Sequence, residues 1–175
     1  MSFRFVNSEE PNKHWEKVSV FGKRVLDLGC GDFGRISSLP YLSTLEYFLS
    51  LGASYVVGVD ASMPDVNNIN SKLNEHQERF SIETKLISSV NDIVELIEKN
   101  DIQIVKSDIE GGEYHLLSIP DNVFSRIEEY YIETHGNQLY EMTVQKLINC
   151  GYEIYDQIDL THTNGECKVI FAKKL

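Results

Sequence analysis

The sequence predicts an α/β protein in which a doubly wound, mostly parallel seven-stranded sheet ends in an antiparallel C-terminal hairpin. Three observations carry this expectation. Seven apolar runs of strand length recur along the 175 residues, several of them apolar at consecutive positions, as strands covered on both faces must be. Segments with a helical period separate all but the last two runs, which implies right-handed βαβ units. The last two runs are divided only by the polar turn Thr161–Gly165, too short for a crossover helix, so they must pair as a hairpin.

The elements follow in order. Val25–Leu28 is the first strand, and Ser43 with Glu46 forms an S-x-x-E start for a helix carrying Leu45, Phe48 and Leu49, closed near Gly52. Tyr55–Val59 is the second strand. Pro64 then opens a helix with Val66, Ile69, Leu73 and Phe80 on its apolar face and Asn67, Asn68, Lys72, Glu75 and Glu78 toward solvent. Ile82–Ile87 and Ile102–Val105 are strands flanking a helix over Asn91–Lys99. Helices over Gly112–Ser118 and Leu139–Asn149 bracket the strand Tyr130–Ile132, and the hairpin strands are Tyr152–Ile158 and Val169–Ala172. Residues 1–22 read as an N-terminal arm, anchored by Trp15 or covering a site with Trp15 and His14. Residues 23–175 read as a single domain of ordinary size.

Composition narrows the function classes. Sixteen Lys+Arg against 27 Asp+Glu give a net charge of −11, which repels phosphate backbones and anionic membrane surfaces and so disfavours a nucleic-acid partner. No apolar run reaches the ~18–20 residues of a membrane span, and the first residues lack the apolar stretch of a secretion signal. Cys30, Cys150 and Cys167 are an odd number without CxxC spacing, so neither a disulfide framework nor a zinc knuckle is expected. A reducing, cytoplasmic location follows as an expectation.

Three motifs carry chemistry. Asp27-Leu28-Gly29-Cys30-Gly31 ends the first strand in glycines, where a ligand can lie against the backbone at the carboxyl edge of an open sheet. Asp27 there could accept from a ligand ammonium, and Cys30 would contribute its backbone. Asp60, followed by Ala61, ends the second strand where a carboxylate can accept both ribose hydroxyls. The third motif is Lys106-Ser107-Asp108-Ile109-Glu110-Gly111-Gly112-Glu113. A period of two puts Lys106, Asp108 and Glu110 on one face at that strand's end, beside Glu133 and His135 on the next.

Crowded carboxylates need a cation between them. Lys106, a cationic ligand, or a hard divalent metal such as magnesium on Asp108, Glu133 and His135 could supply it. His135 is the expected general base, because an ordinary imidazole pKa near 6.5 suits removal of a hydroxyl proton. Glu133 is its alternative. Glu113 reads more simply as a first-turn residue favoured by the helix dipole. Ser88 ends the third strand, where Ser89 with Asp92 equally forms a helix cap.

Asp27, Gly29, Gly31 and Asp60 resemble motifs I and II of class I S-adenosylmethionine-dependent methyltransferases, whose fold is this sheet with its terminal hairpin. The chain departs from D-x-G-x-G-x-G at Phe33, with Gly34 one place late, and Arg35–Leu42 containing Pro40 delays the next helix. Lys106, Asp108, Glu110, Gly111 and Glu113 resemble the K-x-D-x-E-G-x-E signature of FkbM-type methyltransferases, and Tyr131-Ile132-Glu133-Thr134-His135 resembles that family's acidic-plus-histidine strand end. The resemblance runs from about Lys23 to Ala172. It implies S-adenosylmethionine as cofactor and O-methylation of a small-molecule or glycan hydroxyl. It further implies cofactor contacts at Asp27, Gly29, Cys30, Gly31, Asp60, Ala61, Ser88 and Asp108, and catalytic roles for Asp108, Lys106, Glu133 and His135. A homo-oligomer could complete the acceptor site. The rivals are a nicotinamide-dependent oxidoreductase, since Gly29, Gly31 and Gly34 also fit G-x-G-x-x-G, and a binding module without turnover.

Overall fold

The computed structural model describes residues 4–6, 17–31, 43–160 and 167–175, with backbone alone at 4–6, 64, 65 and 68. His14, Trp15, the loop Arg35–Leu42 and the turn Thr161–Gly165 lie outside the described residues. The strands are β1 (Arg4–Val6), β2 (Arg24–Leu28), β3 (Tyr55–Asp60), β4 (Phe80–Thr84), β5 (Ile104–Ser107), β6 (Glu129–His135), β7 (Tyr152–Leu160) and β8 (Cys167–Lys174). Their order is β1-β7-β8-β6-β5-β2-β3-β4. Pairing is parallel throughout except where β8 runs antiparallel to both β6 and β7. The seven expected strands and the hairpin are thus present, and β1 adds a short parallel pairing with β7 at Arg4↔Ile158 through Val6↔Leu160.

Alternate residues of each strand enter opposite layers, which is why the strands read as unbroken apolar runs. Leu26, Leu28, Val57, Val59, Val105 and Ile132 pack under α3 (Val90–Asn100), α4 (Glu113–Leu117), α5 (Asp121–Phe124) and α6 (Asn137–Asn149). Val25, Val56, Ile104 and Tyr131 pack with α1 (Thr44–Ser50) and α2 (Met63–Lys72) on the other face. Burying some forty apolar side chains at roughly 1.5–3 kcal/mol for each large one is the dominant favourable contribution to folding.

Helix ends follow local chemistry. Ser43 accepts from the Glu46 amide at 3.1 Å to start α1. Gly52, at φ +86°, closes it with Gly52 and Ala53 amides donating back to Leu49 and Phe48 carbonyls at 3.1 Å each. Ser89 and Asp92 cap α3 reciprocally.

Two expectations shift. The helix begun near Pro64 ends at Lys72, a 3-10 turn over Asn74–Arg79 with no buried residue follows, and Phe80 opens β4 instead of extending the helix. The strand expected at Ile82–Ile87 therefore lies two residues earlier, leaving Leu86 71% exposed in the following loop. β5 ends at Ser107, so the period of two does not carry through to Asp108 and Glu110. Lys106 is buried, Asp108 is half-buried and Glu110 is exposed.

Candidate active site

The carboxyl ends of β2, β3 and β5 open onto a cavity of about 790 Å³ lined by Gly29, Gly31, Asp60, Ala61, Asp108 and Glu110, with Lys85, Leu86, Ile109, Gly111 and His115 completing the wall. Gly29 sits at φ +71°, and a Cβ there would fall 1.8 Å from the Asp108 carbonyl oxygen. Only glycine lets the β2 and β5 ends approach this closely. The Gly29 amide donates to the Val59 carbonyl at 2.8 Å, and the Asp108 amide donates to the Leu28 carbonyl at 3.0 Å.

Asp60 organises the turn as well as facing the cavity. Its Oδ2 accepts from the Gly31 amide and its Oδ1 from the Ser62 amide, both at 2.8 Å. Each carboxylate oxygen has capacity for a further donor, so a vicinal diol could bind without displacing either amide. Cys30 lies beneath the turn with its thiol buried and pushed well up by burial, so its contribution to the cavity wall is backbone. Ser88 lies outside the cavity lining, and its amide and hydroxyl go to Asp92 Oδ2 at 3.1 and 3.3 Å.

Asp27 and Lys106 meet below the cavity floor. Both are fully buried, with Lys106 Nζ 3.1 Å from Asp27 Oδ1. Thr44 donates to Asp27 Oδ2 at 2.6 Å. Lys106 also donates to the carbonyls of Leu28 at 3.3 Å and Gly29 at 2.6 Å. Burial raises the Asp27 pKa against the pull of Lys106. For Lys106 burial acts downward, but the charges of Asp27 and Asp108 more than offset it and the pKa is raised. With these two hydrogen bonds and the ion pair, Lys106 staples the glycine turn to β5.

The second cluster gathers at the end of β6. His135 Nδ1 is hydrogen-bonded to Oε1 of the fully buried Glu113. Its Nε2 faces Glu133 Oε1 at 3.8 Å and Asp108 Oδ1 at 3.9 Å. The hydrogen bond to Glu113 raises the His135 pKa to about 9. The Glu113 carboxylate therefore favours the protonated form of the ring. Glu133 is pushed up to about 7, first by burial and then by the charge of Asp108.

His135 thus supplies the positive charge that these carboxylates require. Among the described residues, Glu133, His135 and Cys167 bring donor atoms within 4.8 Å of one another, so Cys167 takes the place expected for Asp108. A protonated imidazole offers no lone pair to an ion. Sequence reasoning missed the burial of Glu113 and the position of His115 in the cavity wall. The pair Gly111-Gly112 ahead of α4 was the available signal that this helix starts against the sheet.

With this geometry in place, comparison with known proteins is decisive. The model of the methyltransferase FkbM domain matches residues 10–154. The chain belongs to the FkbM methyltransferase family. The S-adenosylmethionine-dependent methyltransferase fold of this FkbM chain is shared by distant solved structures. One is ribosomal protein L11 methylase from Lactobacillus delbrueckii subsp. bulgaricus, at 14% identity and TM-score 0.58, covering 91% of this chain and 74% of that one. Another is Aeropyrum pernix fibrillarin with natively bound S-adenosyl-L-methionine, at 14% identity and TM-score 0.56, covering 90% and 69%. A third is precorrin 8w decarboxylase from Methanobacterium thermoautotrophicum, at 13% identity and TM-score 0.56, covering 89% and 83%. A search of curated proteins finds no match. Among the described residues of the FkbM chain, no helix is long and apolar enough to cross a membrane.

Proposed function

We propose that this FkbM chain transfers a methyl group from S-adenosylmethionine to a hydroxyl of a small molecule or glycan. Asp108 carries the reading. It lines the cavity beside Gly29 and Gly31 and also lies 3.9 Å from His135 Nε2, so a donor site and a proton-accepting cluster share one wall.

The residues fit the donor. Gly29 lets the β2 and β5 ends close up beside the cavity, the Asp60 oxygens keep capacity for ribose hydroxyls, and Asp108 is placed for a ligand ammonium. Asp27, ion-paired with Lys106 and hydrogen-bonded by Thr44, acts on this site by holding the turn. When bound, S-adenosylmethionine supplies a methyl already activated by its sulfonium, so the protein's share is positioning, exclusion of water and handling of one proton.

Glu133 takes that proton from the acceptor hydroxyl. A carboxylate with a pKa of about 7 is matched to a neutral solution and reaches the range where general-base catalysis is efficient. His135, already protonated, holds Glu133 and Asp108 in register. The thiols of Cys30, Cys150 and Cys167 support a reducing compartment such as the cytoplasm. The chain's net charge of −11 favours a neutral or cationic acceptor over a nucleic acid.

The test is a panel of hydroxylated sugars and small metabolites incubated with methyl-labelled donor. An O-methylated product that disappears in Glu133→Gln and His135→Ala supports the reading. Product that persists in Asp108→Asn and His135→Ala removes the site assignment, and tight donor binding with no transfer to any acceptor favours a binding module.

A further inference from the structure

β6 and β8 pair in antiparallel register, with His135 directly opposite Cys167 and Glu133 opposite Val169. Residues two apart on a strand share a face, and directly opposed residues hold their Cβ atoms ~4.5–5.5 Å apart. A carboxylate, an imidazole and a thiol therefore leave the same face of two hydrogen-bonded strands. Their side chains converge: one donor atom from each of Glu133, His135 and Cys167 lies within 4.8 Å of the other two. All three residues are half-buried, so solvent reaches a cluster that the sheet holds rigidly.

A second feature aims the imidazole. Glu113 of α4 is 0% exposed, with Oε1 hydrogen-bonded to His135 Nδ1 and Oε2 without a hydrogen-bond partner among the described residues. A carboxylate held against one ring nitrogen is the usual support of a metal-ligating histidine, because it fixes the ring and directs the other nitrogen at the ion. Here that nitrogen is Nε2, 3.8 Å from Glu133 Oε1 and 3.9 Å from Asp108 Oδ1. These gaps are too long for hydrogen bonds. They are close to the ~3.4–3.6 Å between neighbouring donors around a tetrahedral zinc.

We propose that Glu133, His135 and Cys167 form a site for a borderline divalent metal, zinc above all, and that filling it stops methyl transfer. The donor set selects the ion: thiolate and imidazole suit zinc and cobalt, whereas magnesium takes oxygen donors. Three protein ligands leave a fourth tetrahedral position, which water or Asp108 Oδ1 completes. The ion replaces the proton on Nε2 and the proton of the Cys167 thiol, and both are released to solvent. Glu133 and Asp108 on one side of the ring and Glu113 on the other make the surroundings anionic, while Lys106 is paired with Asp27 below, so a dication is attracted.

The effect on turnover rests on the methyl-transfer reading, whereas metal binding does not. A Glu133 oxygen committed to an ion is withdrawn from the acceptor's proton. The ion also sits against Asp108, which lines the donor cavity. Zinc thus acts as a reversible inhibitor of this site, and a chelator restores transfer.

The experiment titrates the purified chain with cobalt(II), and then with zinc against a chromophoric chelator, in the absence of donor and acceptor. The expected result is one equivalent of zinc bound at micromolar affinity or tighter, and a near-ultraviolet thiolate-to-cobalt absorption that vanishes in Cys167→Ser. Cys30 and Cys150 are buried, so the band reports on Cys167. Glu113→Gln should keep the band yet weaken zinc ~10–100-fold, the usual cost of losing a ligand's outer partner. Absence of the band in the wild type, or zinc binding untouched in both Cys167→Ser and His135→Gln, means an adventitious ion only and overturns the proposal. Should Cys167→Ser fail to fold, His135→Gln decides, since a band that persists there overturns it equally. In the transfer assay, saturating zinc should lower wild-type activity ~10²-fold or more, the worth of a general base, and the same zinc should inhibit Cys167→Ser far less. Wild-type transfer that zinc leaves untouched overturns the inhibitory role. A chain that shows the band but methylates no acceptor counts against methyl transfer and leaves the metal site standing.

Discussion

Two acid–base pairs gather near the carboxyl end of β5, one sealed below the cavity and one open beside it. Asp27 and Lys106 have 0% and 1% side-chain exposure, whereas His135 keeps 25% against the 0% of Glu113. Lys106 spends its donors on Asp27 and on the carbonyls of Leu28 and Gly29. His135 uses only Nδ1 for its hydrogen bond and leaves Nε2 facing two carboxylates. The pairs contain the same charges, one held between β2 and β5 and the other between β6 and α4, yet one fastens the chain and the other can respond to a ligand. What separates them is how many donors remain after folding, and whether water or substrate can reach them.

That contrast breaks most sharply at Glu133. Replacing it by glutamine should lower methyl transfer by ~10²–10⁴-fold, the usual range for a lost general base, without lowering the urea midpoint, since the buried carboxylate is itself a cost when ionised. The wild-type profile should be a bell. Activity rises as Glu133 ionises near pH 7 and falls as His135 loses its proton near pH 9, and a profile flat from pH 6 to 10 would remove both groups from the reaction.

The sealed pair should respond in the opposite way. Lys106→Met leaves Asp27 buried without its cation, and the expected loss of folding stability is about 3–5 kcal/mol by urea denaturation. Adding Asp27→Asn should return part of it, because the stranded charge is then gone. A Lys106→Met variant of wild-type stability but no activity would make the two pairs alike and end the comparison. The smallest effect lies far from both, at the α3 cap. Ser89→Ala should cost about 1 kcal/mol and leave donor binding unchanged, since Ser88 and Ser89 serve Asp92; donor affinity that falls with it would restore Ser88's neighbourhood to the site.

Much of this architecture is legible in the residues themselves. Paired layers make β2, β3, β5 and β6 apolar at successive positions, and side-chain caps mark the starts of α1 and α3. Phe80 misleads because it continues the spacing of Val66, Ile69 and Leu73 by chance, and only the polar stretch Asn74–Arg79 hints that the helix has ended. β1 and α5, at three and four residues, are too short for any period to register.

The site divides along the same line. Gly29, Gly31 and Asp60 follow from backbone constraints that a sequence exposes directly. The roles within the charged cluster do not, because they depend on which side chain is sealed. A first-turn glutamate gives no sign that it will be wholly buried, and Lys106 on a strand gives no sign that two carbonyls of the preceding turn will meet its ammonium. The shift of His135 to about 9 follows from that hidden partner, which is why an ordinary imidazole was the natural expectation.

The most direct test of the account is calorimetric titration of S-adenosylmethionine, S-adenosylhomocysteine and NADH into the wild-type chain and into Asp60→Ala. The account predicts micromolar binding of both sulfur nucleosides, no binding of NADH, and ~10–100-fold weaker binding in the variant, the worth of hydrogen bonds to a charged group. NADH binding in place of the sulfur nucleosides, or affinity untouched by the loss of Asp60, would contradict it.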